Sequence, residues 1–155
     1  MTTPGDKQRI IIGRVERVDF PRFGLEGLEA KVDTGARTSS IHCADVRVEA
    51  EDEAGRRVIS FTLLDPEHPD YNGRRFRARK VDTRVVRSSN GEEQERHVVE
   101  VDVVIAGRTI RTEFTLADRE AMNYPVLLGR RLLRGTFLVD VSRKRVADRL
   151  RDEEE

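Results

Sequence analysis

A chain of 155 residues is long enough for one ordinary domain with a real core and short for two. Lys plus Arg and Asp plus Glu both number 29, so no charge imbalance argues for nucleic acid or an anionic membrane surface as a general partner. With 37% of residues hydrophobic, 37% charged and no Trp, the core must come from Val, Leu, Ile and six Phe, which suits a thin β domain.

In chain order, residues 1–8 are polar and read as a disordered N-terminus, followed by a domain over 9–142. Residues 1–9 lack the apolar stretch of a signal peptide, and nothing approaches the ~20 apolar residues of a membrane span. Residues 9–19 (RIIIGRVERVD) are β-branched and alternating, a strand that Pro21 ends; 20–27 reads as a turn leading to a strand at 28–32. That strand runs into Asp33, Thr34 and Gly35: a carboxylate, a hydroxyl able to bond nearby backbone, and a position without a Cβ. Residues 39–51 form a half-buried strand with one irregularity, 53–56 its turn and 57–64 the next strand. A two-proline loop follows at 65–73.

Cys43, the lone cysteine, rules out an intrachain disulfide and favours a reducing compartment, so a soluble cytoplasmic protein is expected. Three strands come next, 76–88, 94–105 and 108–116, joined at Asn90-Gly91 and Ala106-Gly107; Asn-Gly between alternating strands is a strong hairpin signal. A polar helical turn over 118–123, capped by Asp118, precedes a strand at 126–128. A short helix at 130–134, broken by Gly135, and a last strand at 136–141 complete the domain. Residues 143–155 read as a charged tail, helical and then disordered, with no function expected of it.

The stretch Lys31-Val32-Asp33-Thr34-Gly35-Ala36, taken with Tyr124-Pro125-Val126-Leu127-Leu128-Gly129-Arg130 downstream, resembles the retropepsin-like aspartic peptidases. Residues 33–42, the Arg-Val-Val-Arg-Ser-Ser-Asn-Gly stretch at 84–91 and the Leu-Leu-Gly-Arg segment look more closely like a bacterial group labelled ATP-dependent zinc proteases. That group is linked with ATP-grasp glutamate ligases of the RimK type. The resemblance implies a mostly β acid-protease fold, a closed or partly open β-barrel with one or two short helices. It also implies that Asp33 is the catalytic acid, with Thr34 and Gly35 shaping its loop.

Peptide hydrolysis of this kind needs two carboxylates close together, one ionised to activate water and one protonated to polarise the carbonyl. A second Lys-Val-Asp-Thr occurs at 80–83, but Arg84 stands where the loop needs Gly, and Asp82 follows Asp33 too closely for a second lobe of about 100 residues. The expectation is therefore a symmetric homodimer that pairs two Asp33 residues, with Thr34 bonding across the axis. The resemblance makes 81–99 the hairpin that covers the cleft. It assigns substrate contacts to Ala36, Arg37, Arg87, Ser88, Ser89, Asn90, Gly91, Leu128 and Gly129. Arg84, Arg87 and Arg96 would favour an acidic, glutamate-rich peptide if they face the cleft, and a solvated hairpin if they do not. Retroviral enzymes carry an acid at the position of Arg37 that pairs with the Arg after the Gly. Here Arg37 meets Arg130, so another acid, Asp140 or Asp118, is expected to compensate.

The zinc label is not supported by motif. No His-Glu-x-x-His is present, and His42, His68 and His97 lie on different segments. His42 and Cys43, adjacent on a strand, point to opposite faces, so no metal is assigned, although a site built from His42, His68 and an acid stays open. No Gly-x-x-x-x-Gly-Lys-Ser/Thr motif is present, and no cofactor is expected. Three readings remain: an aspartic peptidase, a zinc-dependent protease as the label claims, and a non-catalytic regulator or partner of a glutamate ligase. The peptidase reading includes cleavage of an isopeptide or γ-glutamyl bond.

Overall fold

The computed structural model describes residues 8–49, 51, 53, 57–87, 91–117 and 124–152, with 86, 87 and 152 as backbone. The alternating run at 9–19 is two strands, β1 (Ile10–Gly13) and β2 (Val15–Phe20). Arg14 is the switch between them. Its N–H donates to the Arg143 carbonyl at 2.8 Å and its own carbonyl accepts the Val32 N–H at 2.9 Å. Gly13 makes this possible: a Cβ there would lie 2.3 Å from the Arg143 oxygen. β1 pairs in parallel with β10 (Phe137–Asp140), whereas β2 enters the main sheet beside β3 (Leu25–Val32). The expected turn at 20–27 is shorter, a single 3-10 turn at Pro21–Phe23 closed by left-handed Gly24, so β3 begins at Leu25.

The main sheet continues through β4 (Ser39–Val48), β5 (Val58–Leu63), β6 (Arg75–Arg87), β7 (Glu93–Ile105) and β8 (Arg108–Ala117). The irregularity expected in β4 is a bulge between Ala44 and Arg47, with Asp45 in the left-handed region. β7 and β8 are joined by Ala106 and Gly107, both at positive φ, the two-residue hairpin turn that matches strand twist. The Asn90 turn and the 118–123 helical turn lie outside the described residues.

β9 (Val126–Leu128) slots between the strand that delivers Asp33 and the strand that leaves it, parallel to β3 and antiparallel to β4. Extra pairings, β4 with β8 and a single β2 to β7 pair at Asp19 and Val104, fold the sheet back on itself into a partly closed ring. The protein is mostly β, and the described residues include two short α-helices, α1 (Arg130–Leu133) and α2 (Asp148–Asp152). Inside the ring the phenylalanines meet, Phe20 edge-on to Phe114 at 5.4 Å and Phe23 against Phe76 at 4.8 Å.

The segment after residue 142, expected to be a charged tail, is fastened to the domain through Ala147 and beyond. Glu16 is fully buried on β2, and its carboxylate accepts the N–H groups of Gly13 at 2.6 Å, Val146 at 3.1 Å and Ala147 at 3.0 Å. Arg145 pairs with Glu29, and Arg151 with Asp19 at 2.8 Å. No helix among the described residues is long and apolar enough to cross a membrane.

Candidate functional site

β3 ends at Val32, and the Asp33 N–H still donates to the Leu128 carbonyl at 2.9 Å, so the acid leaves the sheet directly beside β9. The turn is made locally. Asp33 Oδ1 accepts the Gly35 N–H at 2.9 Å, and its carbonyl accepts the Ala36 N–H at 3.2 Å. The side chain is half-buried, while Thr34 and Gly35 are exposed. A Cβ on Gly35 would stand 3.2 Å from Asp33 Oδ1, crowding the oxygen the loop is built to orient.

The second half of the loop is pinned by the start of α1. The N–H groups of Arg130 and Arg131 donate to the carbonyls of Ala36 at 2.8 Å and Arg37 at 3.0 Å. Gly129 permits the approach, because a Cβ there would fall 2.7 Å from the backbone of Thr38. Its N–H donates to the buried Ser39 hydroxyl at 3.0 Å. The two sequence segments singled out above thus form one hydrogen-bonded unit that holds Asp33, Thr34, Gly35, Ala36, Arg37, Leu128 and Gly129 together.

Arg130 turns its guanidinium to the Thr34 carbonyl at 3.1 Å, and Arg37 is exposed. Asp140 takes no part, since its carboxylate accepts the Ser142 N–H and hydroxyl, bonds that hold it below the usual carboxylate range. Asp118 lies outside the described residues. The acid beside this unit is Glu113 on β8, whose Oε2 accepts Arg131 at 2.5 Å and Arg84 at 2.6 Å; Arg84 also donates to the Thr38 hydroxyl at 2.9 Å. Sequence reasoning missed Glu113, which looks like any polar residue on the outer face of an alternating strand.

Of the expected hairpin, β6 and β7 pair from Lys80 with Val99 out to Arg87 with Glu93, and Gly91 has the positive φ of a turn residue. Ser88, Ser89 and Asn90 lie outside the described residues, and of Arg87 the backbone alone is described. Arg84 faces the Asp33 loop through Thr38, whereas Arg96, opposite it on β7, donates to Gln94 at 3.3 Å. Beside Thr34 opens a groove of about 400 Å³, lined by Leu133, Phe137 and Val139 among others.

The histidines stay apart. His42 is buried on β4, His68 accepts the Asp70 N–H in the 65–73 loop at 3.0 Å, and His97 sits half-buried on β7. Among the described residues, no group of three or more His, Cys, Asp or Glu side chains gathers where it would hold a metal ion. Cys43 is buried in the core.

A family model described as RimB-like, retropepsin-like aspartic endopeptidase RimB, matches residues 11–150. Among curated relatives, a protein of Shewanella pealeana is 38% identical over 86% of this chain, and one of Desulfotalea psychrophila is 32% identical over 87%. Both carry the name "Probable alpha-L-glutamate ligase". The chain spans 29% of the length of each. A crystal structure of a Legionella pneumophila protein of unknown function shares the fold, with a TM-score of 0.74 and 23% identity over 90% of this chain and 99% of that one.

Proposed function

This chain belongs to the RimB-like family of retropepsin-like aspartic endopeptidases, and on that premise we propose that it hydrolyses peptide bonds as a homodimer with Asp33 from each copy. The observation that carries the reading is the Asp33 loop itself. A half-buried carboxylate leaves a strand end with one oxygen oriented by the Gly35 N–H, between two backbone attachments that fix the loop. One such carboxylate is half of the machinery. Two of them ~3 Å apart share one proton, so that the ionised member takes a proton from water while the protonated member polarises the scissile carbonyl. Collapse of the tetrahedral intermediate then returns that proton to the leaving amine.

The second copy has a suitable surface to meet. Thr34 and the neighbouring groove run into the two-stranded β1 and β10 sheet, where register partners Ile11 and Leu138 are 46% and 51% exposed. An isologous contact there buries both apolar side chains and brings the two Thr34 residues to the axis. Because relatives named glutamate ligases contain a stretch similar to this chain, we extend the proposal to glutamate-rich peptides and to association with an ATP-grasp glutamate ligase.

The test is cleavage of a mixed peptide library, with glutamate-rich members, across pH 4 to 8 by wild type and Asp33→Asn, with and without a chelator. Chelator-insensitive products that vanish in Asp33→Asn are expected. Cleavage abolished by the chelator, or retained by Asp33→Asn, would move the chemistry to another centre.

A further inference from the structure

We infer that Glu113 is a positioning residue that couples the β6 and β7 hairpin to the Asp33 loop and thereby sets how the hairpin lies over a bound peptide. The inference rests on the peptidase reading for its functional part and on contacts alone for its mechanical part.

β8 is a fixed reference. It is paired on one side to β7 and on the other to β4, and the residue next to Glu113, Phe114, is fully buried. The hairpin differs. β7 pairs with β8 from Ile105 to Val98, and β6 pairs with β5 (Val58–Leu63) as far as Arg79. Beyond those points, residues 83–87 of β6 and 93–97 of β7 pair with each other and extend as a two-stranded arm. Such an arm, without a third strand, is marginal in water.

Arg84 sits at the root of the arm, directly across from Arg96, a like-charge pair that destabilises the ladder unless an acid draws one member away. Glu113 does this. A single oxygen, Oε2, accepts the Arg84 guanidinium from the arm and the Arg131 guanidinium from α1. Arg131 in turn holds the Arg37 carbonyl through its backbone N–H, and the other arm of Arg84 reaches the Thr38 hydroxyl. The hairpin, the helix and the far side of the Asp33 loop therefore meet at one carboxylate. Without its charge, Arg84 and Arg131 repel across the gap, and among the described residues the arm is held to the loop by the bond from Arg84 to the neutral Thr38 hydroxyl alone, so it opens more often. The bonds that shape Asp33 itself, to Gly35 and Leu128, are untouched. The consequence is weaker peptide capture with the chemistry preserved.

Two readouts separate this inference from the peptidase reading. Hydrogen exchange over 83–87 and 93–97 in wild type, Glu113→Gln and Glu113→Asp reports the coupling without any turnover. Exchange is expected to rise in Glu113→Gln, with the rest of the sheet unchanged, and to return toward wild type in Glu113→Asp. On a cleaved peptide, Glu113→Gln is expected to raise KM about five- to tenfold, the scale of one lost charge-assisted contact, with kcat within about twofold. Unchanged exchange in the arm of a folded Glu113→Gln protein overturns the inference, as does a fall in kcat at constant KM. If wild type cleaves no peptide, the peptidase reading fails and the exchange result alone decides the coupling.

Discussion

Two acids lie at the same end of the β2 and β3 ladder and are treated in opposite ways. Glu16 is fully buried and accepts three backbone N–H groups, from Gly13 and from Val146 and Ala147 far along the chain, so both its oxygens are engaged and water does not reach it. Asp33 is half-buried, takes the N–H of Gly35 on one oxygen, and is surrounded by exposed Thr34 and Gly35. A buried carboxylate with backbone donors on both oxygens is a clamp. A carboxylate fixed from behind by its own loop and open in front can meet water and a substrate.

The sharpest way to break that contrast is to exchange the consequences of removing each acid. Glu16→Ala leaves buried N–H groups of Gly13 and Ala147 without an acceptor and frees the C-terminal segment, so a loss of about 3–5 kcal/mol in urea denaturation is expected. That is a large part of the stability of a domain this size. Asp33→Asn is expected to change stability by less than about 0.5 kcal/mol while reducing peptide cleavage to background. A large stability loss in Asp33→Asn, or a mild one in Glu16→Ala, would dissolve the distinction.

A matched pair of glycines sharpens it. Gly13→Ala drives a Cβ into the Arg143 carbonyl, and Gly129→Ala drives one into the Thr38 backbone, so both should cost about 1–3 kcal/mol in the same denaturation assay. They should differ in activity. Gly129→Ala displaces the loop that carries Asp33 and lowers kcat, whereas Gly13→Ala loosens the β1 and C-terminal junction and leaves kcat of the folded fraction within about twofold.

The smallest expected effect belongs to neither acid. His97, half-buried on β7, titrates below its ordinary range, first because burial penalises the imidazolium and second because Lys80 lies near, with Glu95 opposing. The unfolded chain then binds the proton more readily. The stability contributed by neutral His97 is present above the ordinary value near 6.5 and is lost as pH falls through the lowered value in the fold. Thermal melts from pH 7 to 5 should show a smaller decline in His97→Gln than in wild type.

The contrast between the acids also explains what could be read from sequence. The Asp33 loop was legible because its geometry is local: strand, acid, hydroxyl and glycine are consecutive, and the partner segment with Leu128 and Gly129 carries its own apolar and glycine signature. The hairpin strands and the bulge in β4 were legible for the same reason. Glu16 was not, because its partners Val146 and Ala147 are at the far end of the chain and Val15, Glu16 and Val18 are all buried, which breaks strict alternation. The change of sheet at Arg14 was hidden within a β-branched run whose one break, Gly13, does not by itself mark a switch, since close packing against Arg143 decides it. Glu113 was hidden because what distinguishes it is the arrival of two arginines from other elements.

The central claim is that one chain supplies one carboxylate and that hydrolysis needs two. Mixing wild type with Asp33→Asn at fixed total concentration, after exchange of subunits, tests it most directly. If both Asp33 residues act in one site, cleavage falls with the square of the wild-type fraction, to about a quarter at equal mixing. A fall linear in the wild-type fraction would show that each copy works alone and would contradict the account.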